Sequence, residues 1–296
     1  MPEGDTVWRT ARRLHQALAG DVLVAADLRW PSLATADLAG ATTLEVVSRG
    51  KHVLHRMDTG LTLHSHLRME GQWRVEESGR VRPAQLRDPR LRAVVGTTAW
   101  TCLGLRLGML DLVRTEQEHR LVGHLGPDVL GPDWDLNAAV ANMRRAPGRS
   151  VGEALLDQRN LAGIGTMYAA ETLFARRQPP WQPVGEVGDE ALRGLVELAR
   201  RLLDLNRLNA VPTTTGSTRR GDEHFVHARS GLPCRRCGTT VRVAMIGTPP
   251  RERTMFYCPA CQHGLGPTDD GRPQRPMGAT QPGGQRAGRV YRNRIS

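Results

Sequence analysis

Four of the five cysteines stand as Cys234-x-x-Cys237 and Cys258-x-x-Cys261, with twenty residues between the pairs. Two such knuckles present their sulfurs as a tetrahedral cage, the donor set that suits zinc. A disulfide reading is disfavoured in a reducing interior, and an iron-sulfur cluster remains the competing occupant. Between the pairs, TTVRVAMIG and RERTMFYC alternate like two strands. Residues 225–264 therefore read as a small ribbon built on a β-hairpin, not a helical finger. Four protein ligands leave no open coordination position, so a metal here holds the fold and does not catalyse. Cys102, alone in an apolar strand, reads as a small buried hydrophobe.

The ribbon is a minor part of 296 residues, a length that favours two domains. With 39% apolar residues the chain can bury a core. No run approaches a membrane span, and the N-terminus lacks the apolar centre of a signal peptide, so a soluble, intracellular protein is expected. The formal charge of +11 asks for a polyanionic partner, nucleic acid or an acidic membrane surface, and charge alone does not choose. Lys51 is the only lysine among 41 cationic residues. Codon bias explains the arginines; a compact ammonium that arginine cannot replace explains the exception.

Residues 3–19 read as an amphipathic helix with Val7, Ala11, Leu14 and Leu18 on one stripe, stopped by Gly20. From Asp21 to about Arg114 short strands follow one another (LVAADL, TLEVV, HVLHRM, LTLHSHL, QWRVE, LRAVV, AWTCL, LGMLDLV), a sandwich or barrel pattern. Helices return after Asp133, ending in an amphipathic DEALRGLVELARRLLDLN. Residues 211–224 read as a flexible connector, and the Gly/Pro/Arg-rich stretch 265–296 as a disordered basic tail. The expected division is 2–125 for the β-rich domain, 133–210 for the helical domain, 225–264 for the ribbon and 265–296 for the tail.

Three further features bear on chemistry. Gly163-Ile164-Gly165 lies between two helical patterns with Thr166 at the cap of the second, a turn that can bring backbone N–H groups onto a phosphate or simply let two helices turn. Arg159, Arg219, Arg220, Arg242 and Arg253 are candidate backbone contacts, or solvated charges. Removal of Met1 would expose Pro2 as a secondary amine; α-amines titrate near 8, so a useful fraction is unprotonated at neutral pH. The positive field of a helix start disfavours the ammonium form further. Attack on a sugar C1′ would give an iminium ion, and Glu3 stands beside it as a proton donor and acceptor. Proline followed by an acidic first turn is also an ordinary helix start. His64 and His66, alternating on a strand, read as a solvated or hydrogen-bonded pair, not a metal site.

Taken together these residues resemble the formamidopyrimidine-DNA glycosylase / endonuclease VIII family. The resemblance rests on PEGDTV at the terminus, SRGK ending at Lys51, HLRMEG at 66–71, DQRNLAGIGTMYAAE, and CRRCG with RTMFYCPACQ, in that order, and covers the chain to about residue 264. The PEG start and the ribbon look more like the endonuclease VIII branch, particularly its actinobacterial-type members. The resemblance implies an α+β multidomain fold: an N-terminal β-sandwich with a leading helix, then a helix-two-turn-helix domain with a four-cysteine zinc ribbon. It also implies a bifunctional glycosylase and abasic-site lyase of base excision repair, with one structural Zn2+. It carries the nucleophile onto Pro2, the acid/base group onto Glu3 and a lysine on the lesion-side phosphate onto Lys51. Met69 takes the place of the apolar wedge that fills the hole left by an extruded base, although alone it would read as core. Gly163, Gly165, Thr166 and Arg253 take DNA-binding places. The expected partner is damaged double-stranded DNA, met by a monomer in the bacterial cytoplasm at the nucleoid, with no membrane.

Three positions depart from the family pattern: Thr6 where glutamate is frequent, Thr166 where asparagine is usual, and His227 where tyrosine is common. Each weakens the grip on the damaged strand by about 1 kcal/mol if a hydrogen bond is weakened but not lost. No counterpart of the arginine-phenylalanine pair of the purine-specific branch is evident. Oxidised pyrimidines are therefore the expected substrate; an oxidised-purine glycosylase and a non-catalytic binder of damaged DNA are the alternatives.

Overall fold

The computed structural model describes residues 2–277. The chain gathers into two compact units, one formed by the chain to Asn142 with 157–165 and 203–210, the other by 143–156, 166–202 and the chain from Val211. The segment 157–165, which the sequence division places with the helices, joins the N-terminal unit.

The first unit opens with α1 (Gly4–Leu18), which buries Val7, Ala11, Leu14 and Leu18 and exposes Arg12, Arg13 and Gln16. That three-and-four spacing puts the apolar side chains on one stripe, each Leu contributing about 1.5–3 kcal/mol on burial. Gly20 turns the chain away at φ +84° and donates its N–H to the Thr43 carbonyl. Eight strands follow: β1 (Ala25–Leu28), β2 (Thr43–Arg49), β3 (His52–Met57), β4 (Leu61–His66), β5 (Gln72–Glu77), β6 (Leu91–Gly96), β7 (Trp100–Leu105) and β8 (Met109–Arg114). Two short helices, α2 (Pro83–Leu86) and α3 (His119–Val122), lie among and after them. The strands form two antiparallel four-stranded sheets, ordered β1-β6-β7-β5 and β2-β3-β4-β8. Val46, Val53, Leu63, Ala93, Val95 and Leu110 from both sheets share one core with the apolar face of α1. Cys102 is fully buried there, and burial pushes its thiol up to about 12.

The second unit takes most of the helices: α4 (Leu136–Arg144), which crosses its boundary, α5 (Val151–Leu156), α6 (Thr166–Ala175) and α7 (Asp189–Asn206), with the hairpin β9 (Arg242–Ile246) and β10 (Arg253–Tyr257). α6 is buried on every side from Met167 to Phe174, as a helix without a polar face must be. α7 is one-sided, with Leu192, Leu195, Val196 and Ala199 buried. The hairpin is antiparallel and in register, Arg253 opposite Ile246 and Tyr257 opposite Arg242.

Two segments differ from the sequence expectation. Residues 265–277 are not a loose tail. Asp269 has a fully buried side chain that pairs with Arg242, and it accepts the Tyr257 hydroxyl at 2.6 Å. Gln274 pairs with the Val243 backbone in both directions at 2.8 Å. The expectation of disorder fails because a carboxylate and an amide there complete the polar groups of the hairpin. Arg242 is thereby committed to the fold and is not a candidate DNA contact. The rest of the tail, with Arg286, Arg289, Arg292 and Arg294, lies outside the described residues. Residues 211–224, expected as a flexible connector, form a loop laced across its base: the Thr214 N–H reaches the Glu223 carbonyl at 2.8 Å and the Thr215 hydroxyl the Asp222 carbonyl at 2.6 Å. Threonine and aspartate read as linker composition, yet here their short polar side chains bond locally to backbone.

The sandwich buries an unusual set of imidazoles. His55 shares a hydrogen bond of 2.8 Å with the Thr43 hydroxyl. His64 Nδ1 donates to Asp111 at 2.9 Å, which leaves its Nε2 to accept from His52 Nδ1 at 2.8 Å. The hydrogen-bonded pair is therefore His52–His64 and not the expected His64–His66, with His66 edge-on to His52 at 4.9 Å. Burial pushes His52 down to about 3, and His55 and His66 down to about 4. These folded values lie below the unfolded value near 6.5, so as the pH falls below about 6.5 the unfolded chain takes up protons that the folded chain refuses. Stability is complete above that pH and is expected to fall continuously toward pH 4, by about 1–3 kcal/mol per fully buried imidazole. Thermal unfolding from pH 7.5 to 4.5 checks this; a melting temperature flat across that window contradicts it.

Candidate active site

The turn between β2 and β3 is two residues long, Gly50-Lys51, with Gly50 at φ +58°. A Cβ on Gly50 would meet Ala162 at 2.8 Å, so glycine is needed both for the dihedral and for the approach of the 157–165 segment. Two acids hold the turn from outside. The buried Asp128 accepts the Gly50 N–H at 2.8 Å and the Leu130 N–H at 3.0 Å. Arg49 pairs with Asp133 and reaches the Gly126 carbonyl at 3.2 Å. The turn delivers the Lys51 ammonium to the carbonyl of Ile164 at 2.6 Å.

The same glycine turn receives the start of α1. Glu3 occupies the N-cap position, but its carboxylate does not cap its own helix. It is 2% exposed and accepts the N–H of Gly165 at 2.6 Å. The Gly4 N–H donates to the Gly163 carbonyl at 2.9 Å. Gln158 braces the turn from behind, accepting the Gly163 N–H at 3.0 Å and donating to the Ile164 carbonyl at 2.8 Å. Pro2, half-buried, precedes this arrangement directly. Pro2, Glu3, Lys51, Gly163 and Gly165 thus meet around one turn, within one unit.

This geometry refines the role expected of the glycines. Their N–H groups donate inward, to Gln158 and Glu3, so the turn holds neighbouring side chains rather than forming an open phosphate seat. Asp128 and Gln158, which sequence reasoning missed, fix the two halves of it; neither carries a spacing signal, since each acts on backbone rather than through a motif of its own. Gly165 is the most sensitive position. A Cβ there would stand 2.5 Å from Glu3 Cδ and 2.6 Å from its Oε1. Gly165→Ala is expected to keep the fold but displace the carboxylate, lowering the rate of the chemical step by about 10²-fold, as misplacements of about 1 Å do. Single-turnover kinetics on folded variant measures it, and an unchanged rate would show that Glu3's position is immaterial.

Met69 is 64% exposed in the turn after β4, not core, so an apolar side chain is offered to solvent next to Arg68 at φ +53°. Thr166, Arg253 and the cysteines belong to the second unit. Thr166 is the first residue of α6, one place inside the expected cap. Arg253 opens β10 and is exposed. His227 packs edge-on against Phe256 at 5.0 Å, and burial pushes its imidazole down to about 3, so it is neutral. The four sulfurs of Cys234, Cys237, Cys258 and Cys261 lie within 4.8 Å of one another and can hold a single metal ion. They are the only such cluster among the described residues.

The chain is similar to known proteins over most of its length. Residues 1–102 match the model of the formamidopyrimidine-DNA glycosylase N-terminal domain, and residues 125–218 that of its H2TH domain. The probable endonuclease 8 2 of Streptomyces coelicolor is 52% identical, over 92% of this chain and 98% of that protein. The DNA-(apurinic or apyrimidinic site) lyase Nei2 of Mycolicibacterium smegmatis is 44% identical over 88% and 99%, and the formamidopyrimidine-DNA glycosylase of Gluconobacter oxydans 31% over 88% and 99%. The Lactococcus lactis formamidopyrimidine-DNA glycosylase, solved on DNA containing an abasic site, shares the fold with a TM-score of 0.72 at 22% identity, covering 88% of this chain and 99% of that one. The matched domains are those of formamidopyrimidine-DNA glycosylases, and the relatives include proteins named endonuclease 8 and DNA-(apurinic or apyrimidinic site) lyase. The chain belongs to the formamidopyrimidine-DNA glycosylase / endonuclease VIII family.

Proposed function

We propose that this protein excises oxidised pyrimidines from double-stranded DNA and cuts the strand by β,δ-elimination, through an iminium intermediate on Pro2. The observation that carries the proposal is the convergence of Glu3 and Lys51 on the turn 163–165, at the start of α1. The Pro2 nitrogen attacks C1′ and the base leaves with its bonding pair, taking a proton from water; the N–H proton of the new ammonium passes to Glu3, which delivers it to O4′ as the nitrogen lone pair opens the sugar ring, giving the iminium ion. The iminium withdraws electrons from C2′, whose proton is lost as the 3′ phosphate departs. A second elimination expels the 5′ phosphate, and water releases the enzyme. Lys51, whose ammonium donates to the Ile164 carbonyl, holds the phosphate beside the damaged sugar. Met69 enters the stack in place of the extruded base, offsetting part of an unstacking cost of a few kcal/mol. Thr166 and Arg253 contact backbone phosphates.

The four-cysteine cluster fits zinc: four sulfur ligands within 4.8 Å of one another would make a closed donor set. The ion would stabilise the hairpin that carries Arg253 and supply no chemistry. No helix among the described residues is long and apolar enough to cross a membrane.

The pyrimidine preference is supported by likeness to the proteins named endonuclease 8 2, at 44% and 52% identity, while the endonuclease 8 of Escherichia coli at 32% and the glycosylase of Gluconobacter oxydans at 31% stand equally far off. Single-turnover excision from duplexes carrying an oxidised pyrimidine or 8-oxoguanine tests it. Faster removal of the pyrimidine lesion is expected; faster removal of 8-oxoguanine reverses the assignment, and lesion binding without either activity makes the protein a binder.

A further inference from the structure

Away from the candidate active site, the second unit buries a carboxylate in the middle of α6. Glu171, on α6, is 1% exposed. Its Oε1 accepts the N–H groups of Val226 and His227, each at 2.8 Å, and its Oε2 accepts the N–H of Phe225 at 2.9 Å together with the hydroxyl of Thr214. Four donors from two stretches of chain, Thr214 and 225–227, therefore meet on one carboxylate. Those stretches are the two feet of the loop 213–227. Between them the chain is laced by the Thr213 hydroxyl to the Glu223 carbonyl at 3.0 Å and by the Gly221 N–H to the Glu223 carboxylate at 2.7 Å. Arg235, between the first two cysteines, reaches the Gly221 carbonyl and Asp222, each at 2.7 Å. The tip, between Gly216 at φ +84° and Gly221 at φ +88°, exposes Arg219 and Arg220, and neither is in an ion pair among the described residues.

A helix that needs no polar face has no structural use for a carboxylate at its centre, and desolvating one costs several kcal/mol unless donors surround it. Here the donors come entirely from the loop. We propose that Glu171 is a positioning residue for substrate binding: it ties both feet of the loop to α6 and so holds the Arg219-Arg220 tip in a fixed place for the phosphodiester backbone. The inference rests on the reading that the substrate is DNA. It predicts that Glu171 acts on binding rather than on the chemistry at Pro2. Glutamine cannot replace it, because one amide oxygen accepts where two did and the amide N–H2 faces donors.

The test uses the full-length, metal-loaded protein. Glu171→Gln is expected to speed hydrogen exchange at Phe225, Val226 and His227 by about tenfold or more. It should raise KM for lesion duplex by about tenfold while kcat at saturation stays within a few-fold and metal content is unchanged. Thr214→Val, which removes one of the four bonds, should move both readouts the same way by less. In the Arg219→Gln/Arg220→Gln background, Glu171→Gln should add little to KM, because the loop then has no charge to position. Unchanged exchange at the three amides, a loss confined to kcat, or full additivity with the arginine pair would overturn the proposal. If wild type neither cuts nor traps on damaged DNA, the functional reading fails, while the exchange result still decides whether Glu171 orders the loop.

Discussion

Glu3→Gln is expected to lower base excision by about 10²–10⁴-fold, the range that a positioned proton donor supplies, with the fold intact. The carboxylate is 2% exposed and held by the Gly165 N–H, so glutamine can keep that hydrogen bond through its amide oxygen and hold the side chain in place. What it cannot do is deliver a proton to O4′ as the sugar opens. The loss should be smaller on a preformed abasic site, where the base has already gone and the iminium can form from the ring-opened aldehyde. Excision and strand cleavage measured separately on the two substrates read this directly. Equal losses on both would mean that glutamine had disturbed the turn 163–165 rather than removed a proton.

The second large effect belongs to the cysteines. Cys258 is fully buried between Tyr257 and the second knuckle, and β10 packs on α6. With zinc in the site, metal binding is folding free energy, about 10–16 kcal/mol in small zinc modules, more than a hairpin of two five-residue strands supplies by itself. Cys258→Ser, or a strong chelator, is expected to unfold the region from Cys234 to Cys261 and abolish DNA binding, because Arg253 and the Arg235 contact to the neighbouring loop go with it. The sandwich, whose core lies in the other unit, should keep its hydrogen-exchange protection. Metal analysis with region-resolved exchange checks both halves. A ribbon that stays protected after complete removal of the metal would show that the Arg242–Asp269 pair and the packing on α6 suffice without it.

Legibility in the sequence followed the range of the interactions. The helix, the eight strands and the cysteine hairpin were legible because periodicity and spacing are local signals. Lys51 stood out as the sole lysine, whereas Pro2, Glu3 and the glycine turn, ordinary helix starts and turns by themselves, were singled out only by the order of motifs that resembles the family. The partners of those residues were not: Asp128 meets Gly50, and Glu3 meets Gly165, across 78 and 162 positions of chain. Composition misled at 265–277 and 211–224, where glycine, proline, threonine and aspartate read as loose chain but satisfy specific backbone groups. Arg242 was misjudged for a related reason, since an arginine spent on a buried aspartate looks like any other in a chain with 41 cationic residues.

Lys51 is the sole lysine of the 296 residues, so once Met1 is removed the Pro2 nitrogen and the Lys51 side chain are the two amines of this sequence that can form a reducible adduct with an opened deoxyribose. Borohydride reduction of the protein on abasic or oxidised-pyrimidine duplex, followed by proteolysis and mass mapping of the cross-linked peptide, decides between them. One adduct is expected, on a peptide beginning at Pro2 and absent when Met1 is retained. An adduct on the peptide containing Lys51, or full cleavage by protein that still carries Met1, would contradict it.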